Sequence, residues 1–165
     1  MCKLVRNPSQ ELQLAAIFHD IDRVVTPGVG GGFKGDRKSI AYENYKKSHA
    51  RRSAGYIIPL LTKEGISTKS LKRVAFLISH HDDTGNEVEE LNDKELNILV
   101  AADSLSFFSS IAPKLYEKEG EARLKDKVRF MIEKMPKFAR ELLASQTLEN
   151  TLFDKIKNEI LAELN

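Results

Sequence analysis

The sequence predicts an all-α protein, a bundle of about six helices, and three observations carry that prediction. Leu, Ile, Lys, Glu and Ala dominate, aromatics are sparse and Trp is absent, a mix that favours helix. Apolar residues recur every three to four positions, and no stretch shows the two-residue alternation of a strand. Helix start signals, Asn or Ser placed just before an apolar stripe, recur along the chain. With 165 residues, the chain suits one domain around one core, so residues 1–165 are expected to form a single helical domain.

The formal charge of +2 is small, with acids and bases interleaved, which excludes a general nucleic-acid footprint. One cysteine, Cys2, rules out an internal disulfide and fits a reducing compartment. The N-terminus lacks the apolar core of a signal peptide, and the longest apolar runs, such as Val74 to Ile78, are too short to span a bilayer. A soluble, cytoplasmic protein without membrane contact is the expectation.

The first helix is expected to start with Asn7 as N-cap, Pro8 in the first position and Gln10 completing a capping box. It should run to about Val25, where Thr26-Pro27 stops it. Leu14, Ile17, Phe18 and Ile21 recur at helical spacing and predict its buried face. His19 and Asp20 then stand at the edge of a core. Adjacent helical side chains point about 100° apart, so both can reach one ion beside the helix. Residues 27–35 hold five of the nine glycines and no Gly-Lys-Ser/Thr ending, which excludes a Walker-type phosphate loop. They read either as a connector or as a lid bringing Lys34, Arg37 and Lys38 to a phosphate.

The second helix should begin after Asp36 and run to about Lys63, with Gly65 as its left-handed stop. Ile40, Ala41, Tyr45, Tyr56, Ile57, Leu60 and Leu61 form the inward face expected around His49. Lys46, Lys47, Arg51 and Arg52 place positive charge within a turn of that histidine, either as a solvated face or, through Arg51 or Arg52, as a grip on a substrate phosphate. Ser67 caps a third helix, with Ile66 and Leu71 in staple positions. Its stripe of Leu71, Val74, Ala75 and Ile78 leads to His81, with His80 beside it. Asp82 to Asn86 should turn the chain, with Asp82 able to orient an imidazole.

The fourth helix is expected to start at Asn92, with Glu95 completing a capping box. It carries Leu96, Leu99 and Val100, then Asp103 on the inward face, where an isolated acid needs a positive partner. Phe107, Phe108 and Ile111 continue the core to Pro113. Beyond it, helices are expected near 115–134 and from 137 onward. Leu142, Leu143, Leu148, Leu152, Phe153, Ile156, Ile160 and Leu164 form a stripe that serves either packing or an oligomer surface.

The inward polar residues are thus His19, Asp20, His49, His80, His81 and Asp103. Imidazole nitrogen with carboxylate oxygen is the ligand set of divalent metals such as Mn, Fe, Co, Ni or Zn, with Mg also considered, as one or two ions. A carboxylate-bridged pair can polarise a phosphoryl oxygen and activate a water.

Ala15-Ala16-Ile17-Phe18-His19-Asp20-Ile21, Ser48-His49-Ala50-Arg51-Arg52-Ser53-Ala54, Ile78-Ser79-His80-His81 and Ala101-Ala102-Asp103-Ser104 together resemble the HD-domain superfamily of metal-dependent phosphohydrolases. The likeness covers roughly residues 10–110. It implies an HD-like bundle in which His19, Asp20 and Asp103 bind the primary metal and Asp20 bridges to a second. His49, His80 and His81 match the additional histidines of two-metal members, and Asp20 and His49 are the candidate catalytic residues. The chain differs from that family in having no histidine among the eighteen residues before His19, and the Gly-Tyr-Pro signature of the cyclic-dinucleotide branch is missing after His80-His81.

The expected function is hydrolysis of a nucleotide or other small phosphate ester by metal-activated water, with Lys34, Arg51 or Arg52 on the substrate. The alternative is a non-catalytic helical regulatory module that binds metal or nucleotide at a degenerate site.

Overall fold

The computed structural model describes residues 4–26, 33 and 39–164. Every element among them is a helix: α1 (Gln10–Phe18), α2 (Asp22–Val25), α3 (Ile40–Lys63), α4 (Thr68–His80), α5 (Gly85–Glu90), α6 (Lys94–Ser110), α7 (Ala112–Lys134), α8 (Lys137–Ala144) and α9 (Thr151–Leu164). The all-α class is as the composition predicts. Among the described residues nine helices replace the six expected, because the first and last predicted segments each break in two and a short helix, α5, occupies a predicted turn. The lid reading and Lys34 fall on 27–32 and 34–38, outside the described residues. The chain divides into two compact units, Cys2–Asp83 and Thr84–Asn165.

In the first unit α4 packs against both α1 and α3, and α2 lies on α3. The cap of α1 is Ser9, whose hydroxyl accepts from the Leu12 amide at 3.0 Å, so Asn7 and Pro8 stand outside the helix. Leu12 and Ala15 form its buried face, whereas Ile17 is 69% exposed, contrary to the predicted stripe. Ile17 stands about 140° and 160° round the helix from Leu12 and Ala15, away from the face they bury, and α1 itself ends at Phe18. The amides of Ile21, Arg23 and Val24 bond to carbonyls three residues back, tightening the chain into three-residue turns. Two residues apart, side chains then diverge by about 120° instead of the roughly 160° of an α-helix. That change helps Asp20 and Asp22 to face the same neighbour.

Ser39 caps α3, its hydroxyl accepting from Tyr42 N at 3.3 Å, and Gly65 ends the segment at φ +77° as predicted. The buried face runs through Lys46, His49, Ala50, Ser53, Ala54, Ile57 and Leu61. Ile40 and Leu60, expected inside, are 81% and 54% exposed; Ile40 is the first residue of α3, about 180° round the helix from His49, and Leu60 lies in its last turn. Ser67 caps α4 as predicted, and the Ser70 hydroxyl donates to Glu11 at 2.7 Å, tying α4 to α1. Val74, Leu77 and Ile78 are buried and lead to His81, the C-cap.

In the second unit Thr84 and Glu87 form a full capping box for α5. Asn92, expected to cap the next helix, instead takes φ +49° after α5, and the cap of α6 is Asp93, which accepts from Leu96 N at 2.9 Å. Leu96, Leu99, Val100, Phe107 and Phe108 are buried, whereas Ile111 is half exposed. Gly120 bends α7 at φ +78°. Leu143, Phe153, Ile156 and Ile160 from the C-terminal stripe are buried in this unit, so at these positions the stripe is packing.

Candidate metal centre

Three segments of the first unit converge: the turn between α1 and α2, the middle of α3, and the end of α4. His49 is fully buried, with its Nε2 2.7 Å from Asp20 Oδ1 and its Nδ1 3.0 Å from Asp22 Oδ2. His81, also buried, brings its Nε2 to 3.7 Å from Asp20 Oδ1 and 3.7 Å from Asp82 Oδ2. The His19 ring meets the His81 ring edge-on, centroids 4.9 Å apart.

The outer nitrogens fix the chemistry of the inner ones. His19 Nδ1–H donates to the Ala16 carbonyl at 2.9 Å, and His81 Nδ1–H donates to the Ile78 carbonyl at 2.7 Å. A carbonyl only accepts, so the hydrogen is on Nδ1 and each neutral ring carries its lone pair on Nε2. His49 lies between two carboxylates, Asp22 at Nδ1 and Asp20 at Nε2, and with its Nδ1–H on Asp22 its Nε2 lone pair faces Asp20. An Nε2 lone pair and a carboxylate oxygen at 2.7 Å repel unless a proton or a cation lies between them. The arrangement matches a metal-binding imidazole whose other N–H is held by a carboxylate or backbone carbonyl.

Ligand atoms of His19, Asp20 and His81 lie within 4.8 Å of one another, as do those of His49, His81 and Asp82, and either group can hold a metal ion. Burial raises the pKa of Asp20, but the neighbouring His49 and His81 rings and the charge of Arg23 outweigh it, so its carboxyl is held well below the usual range. Arg23 Nε also donates to the second oxygen of Asp20 at 2.8 Å. For Asp22, burial is again opposed and outweighed, by bonds from Arg52, His49 and Thr26. Arg52 grips that carboxylate in a fork, Nε at 2.9 Å and Nη2 at 2.8 Å, while the Ser53 hydroxyl accepts from the Asp22 amide at 3.2 Å.

Of the residues named from the sequence, His19, Asp20, His49 and His81 come together. His80 does not join them: its Nδ1 lies 2.6 Å from Asp83 Oδ2 and its ring packs on Phe76. The helical twist between neighbours turns it away as it turns His81 inward. Arg52, expected on a substrate phosphate, has its guanidinium on Asp22 instead. Arg51 is exposed. Asp103 belongs to the second unit, where its carboxylate accepts from buried Lys134 at 2.7 Å, supplying the positive partner that an inward acid requires. Asp22 was missed. The signal was present in His19-Asp20-Ile21-Asp22, a second acid beside the first, but its partners lie about thirty residues away.

Fold and centre together define an all-α protein with a histidine- and aspartate-rich cluster suited to a metal ion. The chain belongs to the family described as Domain of unknown function (DUF4202), which matches residues 1–156. No curated protein and no solved structure is significantly similar to it. Among the described residues, no single helix is long and apolar enough to cross a membrane.

Proposed function

We propose that the protein is a cytoplasmic, metal-dependent phosphohydrolase acting on a nucleotide or other small phosphate ester. The observation that carries this reading is the convergence of three imidazoles, each with its Nδ1 already held by an oxygen acceptor, around the Asp20 carboxylate. His19, Asp20, His49 and His81 would hold a divalent ion, and Asp82 extends the set towards a second. Mixed imidazole and carboxylate ligands suit Mn, Fe, Co, Ni or Zn better than Mg, which prefers oxygen. When bound, such an ion supplies positive charge beside phosphoryl oxygens and activates water.

The chain's own residues do the rest. Asp22 fixes the tautomer and orientation of His49, and Arg52 and Thr26 hold Asp22 in turn. Arg23 occupies one oxygen of Asp20 and leaves the other facing the imidazoles. Arg51, two residues after His49 and therefore turned to the other side of α3, is exposed.

To test this, metal-free protein is loaded with Mn or Fe and offered a nucleotide panel and a generic aryl phosphate. Phosphate release that disappears in His81→Ala is the expected outcome. No release with any metal, from protein that nonetheless binds metal, would point to a regulatory module that binds without cleaving. That second reading is favoured by Asp103, whose carboxylate is engaged with Lys134.

A further inference from the structure

We propose that this centre takes one divalent ion, and that the Arg23 guanidinium, held on the outer oxygen of Asp20, supplies the second positive charge that meets a substrate phosphate. The ion count stands on the geometry of the cluster; the substrate clause rests on the phosphohydrolase reading.

Two groups of ligand atoms are close enough to hold an ion, His19 with Asp20 and His81, and His49 with His81 and Asp82. Both need His81. Its Nδ1–H is on the Ile78 carbonyl at 2.7 Å, so Nε2 carries the one lone pair that the ring can offer. One lone pair binds one ion, and the two groups are therefore alternatives. Asp82 extends the set towards a second ion, but once His81 is committed that group is reduced to His49 and Asp82. Two protein ligands fall short of the three that catalytic zinc sites keep.

A bridging carboxylate is the other way to hold a pair of ions, and here it is blocked. Asp20 has His49 Nε2 at 2.7 Å from its Oδ1, while its Oδ2 has the Nε of Arg23 at 2.8 Å. An ion on Oδ2 would displace the guanidinium or sit against it, and like charges so close repel. Arg23 thus stands where a second ion would stand.

Exposure shows which side a ligand meets. The side chains of His49 and His81 are 1% exposed, whereas those of Asp20 and Arg23 are 42% and 43% exposed. Asp20 and Arg23 therefore lie towards solvent and the two imidazoles behind them. A carboxylate fork takes at most two of the five N–H groups of a guanidinium, so at least three of those on Arg23 are directed away from Asp20. A guanidinium already held in place loses little further side-chain freedom on meeting a phosphate. Ion and guanidinium would share one carboxylate, so one phosphate arriving there meets both charges.

The metal-free full chain is loaded with excess Mn(II), desalted, and its bound metal measured by elemental analysis and electron paramagnetic resonance. One Mn(II) per chain, with the spectrum of an isolated ion, is expected. Two per chain, or a spin-coupled pair, overturns the ion count, and no uptake overturns it together with the metal reading. Inorganic phosphate is then titrated calorimetrically into the loaded protein at about 0.15 M salt. Affinity should fall about tenfold or more in Arg23→Gln at equal Mn(II) occupancy, with part regained in Arg23→Lys. Absence of phosphate binding, or equal affinity in wild type and Arg23→Gln, overturns the role of Arg23. Where Arg23→Gln retains no Mn(II), Arg23→Lys decides: it keeps the charge without the fork, and phosphate binding equal to wild type overturns that role. One ion and Arg23-dependent phosphate binding, without turnover of any ester, supports the count and the anion contact and overturns the hydrolase reading with the substrate clause.

Discussion

Asp22 is the side chain on which the order of the cluster depends, because its carboxylate bonds both His49 and Arg52. In Asp22→Asn one oxygen becomes an NH₂ that can only donate, and it must face a donor of His49 or Arg52. Breaking a buried, hydrogen-bonded charge group in this way costs about 3 kcal/mol. Loss of an outer partner of a metal-binding histidine lowers metal affinity by about 10- to 100-fold. The stability difference from wild type also carries a pH signature. The folded pKa of Asp22 is depressed, so its contribution is complete above the unfolded carboxyl value of about 3.9 and fades as pH falls further. Acid titration of the melting temperatures of both proteins checks the sign. His19, Asp20, His49 and His81 were legible in the sequence because each ends or interrupts an apolar stripe. Asp22 and Arg52 were not, since a pairing across thirty residues leaves no local mark, and His80 was misread because sequence adjacency to His81 does not mean a shared face.

At the scale of elements, the decisive feature is the break after Phe18. Residues 8–25 look like one continuous amphipathic helix, and only tertiary packing shows that the chain tightens there to bring Asp20 and Asp22 onto His49. Single-residue signals with a clear mechanism were read correctly, as with the Ser67 cap of α4 and the Gly65 stop after α3. Around residues 84–93, several Asn, Asp and Thr residues are each able to cap, so no local signal separates Asn92 from Asp93 or marks α5. Gly85 supplies a constraint that no pattern announces. A Cβ placed there would lie 2.6 Å from the Met135 carbonyl oxygen and 3.0 Å from that of Glu133. Both contacts are backbone, so Gly85→Ala should destabilise the protein by about 1–3 kcal/mol through overpacking, read as a drop of several degrees in melting temperature.

For the whole molecule, the all-α class followed from composition and periodicity, whereas the division at Asp83 followed from neither. Both units have buried apolar residues of their own, and no proline- or glycine-rich linker marks the boundary between them. The first unit by itself gathers His19, His49, His81, Asp20, Asp22 and Asp82. An ion held by segments so far apart in the chain binds the folded state and not the unfolded one. At a hundredfold excess over Kd it would add about 2.7 kcal/mol to stability.

The most direct measurement is titration of Mn(II) into metal-free wild-type protein and into His81→Ala, followed by thermal melting of each. Saturable binding with a raised melting temperature in the wild type, both lost in the variant, is the result expected. Equal Mn(II) uptake and equal melting shifts in the two proteins, or none in either, would contradict a metal centre built on these imidazoles.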